Sequence, residues 1–352
     1  MTLFVAMNRL LSTVMCCLSF CLVSCRVAVI QGDGGMDYAS CFDLTGNSVI
    51  TISPVDGHRD TLEVSEPFSR IVCLSSTHVA CLSALGRQDA VAGVNGLRYL
   101  SDTVLRSSAH VQEVGDLDLE KVVAMKADLV VASGGGMDDY SRLDAFGIPV
   151  IHLYDYMEQH PLARAEYIRL FGMLTGCAER ADSVFRAVSD RYARAAAAAA
   201  SAEQRPSVLV NIPYKDAWYL PGRDSYFARL ISDAGAEVAG AQAGSASSLM
   251  TVEKAFTLAG NASFWLHPGW CRTLDELKAA HPLFADFGVF GEGKVFNNIL
   301  KAGSEGGNDY YESGAVRPDL VLEDLIHIFH PELSLETKNA SPGDLHYYIE
   351  LH

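Results

Sequence analysis

Residues 70–94 read RIVCLSSTHVACLSALGRQDAVAGV, and this stretch decides the fold. Ile71 to Leu74 is a short apolar run, which marks a strand buried on both faces. Thr77 to Leu85 reads as a helix, and Gly86 stops it. Ala90 to Val94 is apolar again and reads as the next strand. Parallel neighbours need a crossover, so strand, helix, strand is the repeating unit of a parallel α/β sheet.

The unit recurs on both sides. Downstream come a helix over Leu119 to Met125, a buried strand over Leu129 to Ala132, a helix over Tyr140 to Phe146 and a strand over Pro149 to Leu153. From Pro161 to Glu203 the strand signal vanishes. A first helix stops near Gly172 to Gly176. A second runs from Ala178 to about Ala202, with Ala181, Val184, Phe185, Val188 and Tyr192 at helical spacing. At 1.5 Å per residue it is a strut about 37 Å long. After Pro206 the α/β pattern resumes. Strands fall at Val208 to Ile212, Ala217 to Leu220 and Phe264 to Leu266, with an edge strand at Lys294 to Phe296. Helices fall at Ser225 to Ala234, Val252 to Leu258 and Pro318 to Phe329. The fold class is α/β, with two Rossmann-like lobes joined by one long rigid helix and a ligand cleft between them.

The expected organisation divides at 1–25 (signal peptide), 26–66 (tether and β-hairpin), 67–160 (first lobe), 161–204 (linking helices), 205–334 (second lobe) and 335–352 (an unstructured tail). Leu10 to Val23 is an apolar stretch of 14 residues behind Arg9. That is short of the roughly 20 a bilayer span needs and suits a signal peptide. It ends in Leu22-Val23-Ser24-Cys25, which resembles a lipobox, so Cys25 is the expected lipidation site and the protein an exported, membrane-anchored lipoprotein. Met7 serves as well as Met1 for a start. Of nine cysteines, Cys41, Cys73, Cys81, Cys177 and Cys271 follow the leader, with no zinc spacing among them. They read as buried thiols, with room for one disulfide. The formal net charge of −16 argues against a nucleic-acid partner, which needs Lys and Arg against its phosphates.

The two halves repeat weakly. Leu119-Glu120-Lys121, Asp128 and Gly136 align without gaps on Val252-Glu253-Lys254, Asn261 and Gly269. Together with Ser69-Arg70-Ile71-Val72-Cys73-Leu74-Ser75, Trp218-Tyr219-Leu220-Pro221-Gly222-Arg223, Asp233-Ala234-Gly235, Gly293-Lys294-Val295-Phe296-Asn297 and Arg317-Pro318-Asp319-Leu320, this ordered set resembles the class III, helical-backbone substrate-binding proteins of ABC importers for siderophores, haem and cobalamin. The resemblance covers Pro67 to Leu333. The family's usual Pro-Asp before the buried strand is Ala127-Asp128 here. The resemblance implies a monomeric carrier, with no cofactor or resident metal and no enzymatic activity. It delivers an iron complex to a membrane permease and its ATPase, with cobalamin as the alternative cargo. Glu120 and Glu253 fall on the family's docking positions; both also sit where a helix dipole favours a carboxylate.

Ligands in open α/β sheets bind beyond the carboxyl ends of the strands. That puts Ser76, Thr77, His78 and Tyr99 of the first lobe on the cleft, beside Ser75, Asn95, Arg98 and Ser133 to Gly136. From the second lobe it adds Tyr214, Trp218, Arg223, Tyr226 and Trp270, with His267. Tyr310 belongs to a polar, aromatic loop from Asn308 to Glu312 that reaches the rim. Aromatic rings beside a few donors suit a flat, partly apolar ligand. Other readings stand beside these: Trp218 as a core plug, Ser76 and Thr77 as helix caps, and His78 as a histidine without a metal. A second class of protein, a chelatase-like or nitrogenase-like enzyme, shares the two-lobed plan. The sequence carries no His-Glu-x-x-His, Gly-x-Ser-x-Gly or Walker A segment. A third, a surface sensor or scavenger, differs by lacking a permease.

Overall fold

The structure, a computed structural model, describes residues 35–115, 117–135, 140–215, 217–333 and 345–352. The leader, with Cys25, lies outside them. A three-stranded antiparallel meander comes first: β1 (Phe42–Thr45), β2 (Ser48–Ile52) and β3 (Arg59–Glu63). Gly46, at φ +61°, makes the first turn. The residues entering β1 have no ladder partner, so two carboxylates take their backbone donors. Glu166 accepts from the N–H groups of Asp37, Tyr38 and Ala39, and Glu158 from those of Ser40 and Cys41. Arg169 pairs with Glu166 at 2.6 Å and with Asp37 and Asp182 at 2.8 Å each.

The first lobe is a five-stranded parallel sheet of β4 (Ile71–Cys73), β5 (Val91–Val94), β6 (Gln112–Glu113), β7 (Leu129–Ser133) and β8 (Val150–Leu153), in the order β6-β5-β4-β7-β8. Ile71 faces Leu129 and Cys73 faces Val131 across its centre. All of β4 is buried, as an apolar run between two helical layers requires. Helix α1 (Ser76–Ala84) follows β4 and α2 (Leu119–Ala124) precedes β7. The Asp118 carboxylate caps α2 through the N–H of Lys121. The segment Ser141–Phe146, expected as an α-helix, is 3₁₀. Its six residues make two 3₁₀ turns before Gly147 ends it.

Two helices, α3 (Pro161–Leu174) and α4 (Ala178–Ala199), pack on each other between the lobes. Pro161 starts α3 where a missing N–H costs nothing, and the His160 ring caps it through the N–H of Leu162. Ala181, Phe185, Val188, Tyr192, Ala195 and Ala199 form the buried stripe of α4. Its 22 residues span about 33 Å, slightly short of the expected strut.

The second sheet contains β9 (Ser207–Val210). The strand β10 (Ala217–Leu220) leaves this sheet, and helix α5 (Tyr226–Asp233) follows it. Next come β11 (Glu237–Val238), β12 (Ser248–Thr251), α6 (Val252–Ala259), β13 (Phe264–Leu266), α7 (Leu274–Ala280), β14 (Val295–Asn297), α8 (Pro318–Phe329) and β15 (Ile349–Glu350). The sheet order is β11-β9-β13-β14-β15, parallel except for the last pair. Three expectations change. β10 pairs antiparallel with β12 in a separate ribbon. β14 is not an edge, because β15 pairs with it. The tail from Leu345 is also docked: Tyr347, Tyr348 and Leu351 are buried, although 334–344 lies outside the described residues. The five thiols after the leader are all free among the described residues.

The lobes touch directly. A Cβ on Gly307 would stand 1.8 Å from the carbonyl oxygen of Tyr99, so only glycine lets the two chains pass. Beside this contact the N–H of Ser101 donates to Glu312 at 2.9 Å.

Candidate functional site

The carboxyl ends of both sheets face one cavity of about 760 Å³. From the first lobe, β8 runs into Tyr156 and Met157. From the second, β9 runs into Asn211 and β13 into His267; Tyr226 opens α5, and Tyr310 stands on the loop before α8. Two indoles brace the end of β9. Trp218 Nε1 donates to the carbonyl of Val210 and Trp265 Nε1 to that of Asn211, each at 2.8 Å.

Arg164, in the first turn of α3, lines this cavity. Its Nη2 donates to the Tyr156 carbonyl at 2.6 Å, and its guanidinium carbon lies 4.0 Å from the Tyr226 ring centroid. Its Nε is buried with no hydrogen-bond partner among the described residues. A buried cationic N–H without an acceptor is costly and is what an incoming anionic oxygen would satisfy. His267 has φ +59°, rare for a side chain of its size, and its ring lies near-parallel to Phe227 at 4.4 Å. Burial pushes its pKa down to about 3, so the ring is neutral. Burial also raises the hydroxyls of Tyr226 and Tyr310 above the usual tyrosine value, so both stay protonated donors.

A small closed cavity adjoins this one and shares Arg164 and Ala315 with it. Thr77 donates to Asp155 Oδ2 at 3.0 Å, and the His78 ring meets Asp155 Oδ1 at 3.3 Å. Burial alone would raise the Asp155 carboxyl; its contacts with His78, Thr77 and Arg164 together outweigh that and leave the pKa below the usual aspartate value. On the other side of the one-turn helix Ser313–Val316, a cavity of about 820 Å³ lies between Arg98–Arg106 and Lys301–Arg317. It is larger, but charges of both signs ring it and it meets fewer strand ends. We take the first as the candidate ligand site.

The expected residues separate accordingly. Tyr226 and Tyr310 line the main cavity, Thr77 and His78 the small one, and Tyr99 the larger one beyond Ser313–Val316. Trp218 is a correction: it is fully buried against Trp265 and Phe284, because it points to the core side of the β10–β12 ribbon. Tyr214 and Trp270 are 66% and 64% exposed and line none of these cavities; nor do Ser76 and the exposed Arg223, which donates to the Ala241 carbonyl. Glu120 and Glu253 are both exposed in the first turns of α2 and α6. Sequence reasoning missed Arg164 and Tyr156. Nothing in helical spacing marks an arginine that turns inward.

A family model described as periplasmic binding protein matches residues 71–297, more than half of the chain. The chain belongs to this family. It is 24% identical over 288 residues to an uncharacterised lipoprotein of Methanocaldococcus jannaschii, covering 76% of this chain and 67% of that one. It is also 24% identical over 192 residues to an uncharacterised ABC transporter substrate-binding lipoprotein of Bacillus subtilis, covering 52% of this chain and 59% of the relative. Among solved structures it resembles a siderophore-binding protein of Vibrio cholerae with bound Fe3+-Desferal. There the TM-score is 0.55 and the identity 19%, over 74% of this chain and 99% of that one.

Proposed function

We propose that this chain is the solute-binding component of an ABC importer, and that it carries a ferric chelate of the siderophore or haem type to a membrane permease. The observation that supports this most is the cavity at the carboxyl ends of both sheets, where the unpaired Arg164 Nε stands among protonated tyrosines. A ferric chelate with peripheral oxygens meets both needs: its apolar faces lie on the aromatic rings and its oxygens accept from Arg164 and the phenols. The role is carriage, with capture in the cleft and release at the permease. The packed pair α3 and α4 limits how far the lobes move apart. Cys25 is the membrane anchor.

Glu120 and Glu253 are the docking pair. They are equivalent in the two lobes and exposed at matching helix starts, as a two-fold permease requires. Rim charges of this kind set association more than final affinity. The test is uptake of radioactive ferric chelate by cells lacking the chain. Reintroduced parent protein restores uptake. The double variant Glu120→Lys with Glu253→Lys binds cargo as the parent does but fails to restore it. Normal uptake by the double variant refutes the docking assignment, and no uptake defect in cells lacking the chain refutes the importer role.

A further inference from the structure

The family match ends at residue 297, yet the last eight residues are built into the second lobe. Asp324 of α8, buried, accepts from the backbone N–H groups of His346 and Tyr347 and from the His346 ring at 2.7 to 2.9 Å. Glu350 faces Phe296 and Ile349 faces Asn297 in the sheet. Leu351 N donates to the Val295 carbonyl, and the carbonyl of His352 accepts from Leu274 N. This segment covers the open edge of β14 and carries one side chain to the cavity wall: the Tyr348 hydroxyl lies 2.7 Å from His267 Nε2.

The direction of that hydrogen bond decides which ring nitrogen of His267 carries the proton. Tyr348 is 1% exposed, so its hydroxyl proton needs an acceptor inside the protein. The His267 ring is neutral, and its Nε2 is within reach to accept. Tyr310, edge-on to both rings, hydrogen-bonds the same hydroxyl, which therefore has two partners. A neutral imidazole that accepts at Nε2 carries its proton on Nδ1. His267 Nδ1 meets no hydrogen-bond partner among the described residues. His267 itself lines the cavity.

We propose that the C-terminal segment is part of the ligand site, with Tyr348 positioning His267 so that its Nδ1–H donates to an acceptor oxygen of the cargo. This rests on the carrier reading above and deepens it. The site then takes an oxygen-rich ferric chelate, such as a hydroxamate or catecholate, and His267 does not bond to the metal. A haem iron seeking an imidazole lone pair would find the wrong tautomer.

The test uses the full chain and Tyr348→Phe, which keeps the ring and removes only the hydroxyl. Nitrogen NMR shifts of the His267 ring report the tautomer without any cargo. The parent gives a protonated Nδ1 and a bare Nε2, and Tyr348→Phe gives a mixture. Titration with a ferric trihydroxamate gives a Kd about 3- to 10-fold weaker for Tyr348→Phe, the size of one neutral hydrogen bond. His267→Phe weakens it at least as much. A bare Nδ1 in the parent, an unchanged Kd in Tyr348→Phe, or a spectroscopic signature of haem iron bound by His267 overturns the inference. Failure of the parent to bind any ferric chelate overturns the carrier reading itself.

Discussion

Replacing Arg164 with alanine separates cargo recognition from folding. In the unliganded protein the side chain makes one hydrogen bond to the Tyr156 carbonyl and one ring contact with Tyr226, while Nε has no partner. Its removal therefore costs the empty fold little. A bound anionic oxygen adds a charge-assisted bond in a partly desolvated place, worth about 1.5 to 3 kcal/mol. At 1.4 kcal/mol per tenfold, the Kd for a ferric trihydroxamate rises by about 10- to 150-fold in Arg164→Ala. Arg164→Lys keeps the charge but loses the planar fork and falls between. The assay is tryptophan-fluorescence titration, repeated at low and high salt, with circular dichroism as the check on folding. Parent affinity falls more with added salt than that of the alanine variant, because only the parent uses this charge. A folded Arg164→Ala protein within twofold of parent affinity refutes the reasoning.

Trp218→Ala should lower stability by about 3 to 5 kcal/mol, the range for emptying a buried aromatic site, while the remaining folded protein binds cargo normally; urea unfolding with a parallel titration checks both halves. Burial pushes the Glu312 carboxyl up to about 7 from 4.5, against the N–H of Ser101 and with help from Asp309. Folded protein thus holds a proton that the unfolded chain releases, so this contribution is fully present below pH 4.5 and is lost as pH rises through 7. Glu312→Gln keeps an acceptor for Ser101; its unfolding free energy should match the parent below pH 4.5 and exceed it by about 3 kcal/mol at pH 8. Equal stability at both pH values contradicts this. Cys25→Ala should move the protein from the membrane to the soluble fraction or block its maturation, read by fractionation and fatty-acid labelling; unchanged labelling removes the lipid anchor.

The order of strands and helices was legible because each buried strand of a parallel sheet is a bare apolar run, as Ile71 to Leu74 and Leu129 to Ala132 are. What sequence period does not encode is which partner a strand takes. Ala217 to Leu220 has the same composition as a sheet strand, yet it pairs with Ser248–Thr251, whose own signal is weak. That error also moved Trp218, since a tryptophan within a short strand looks alike whether it faces core or cleft. The C-terminal segment was missed because its anchor, Asp324, lies in a different element; the run Tyr347-Tyr348-Ile349 was the available strand signal. Tyr226 was legible as the helix start that follows Ala217 to Leu220, and Tyr310 as part of a polar, aromatic loop. Arg164 could not, because its role comes from the packing of α3 between the lobes.

The cavity between the sheets is the proposed seat of a ferric chelate. Titration of the purified chain with a ferric trihydroxamate, a ferric triscatecholate, haemin and cobalamin, followed by absorbance and calorimetry, tests it most directly. The expected result is saturable one-to-one binding of at least one iron chelate, weakened by Arg164→Ala and unaffected by Glu120→Lys with Glu253→Lys. Binding of cobalamin alone, of none of the four, or of an iron chelate with full affinity in Arg164→Ala contradicts it.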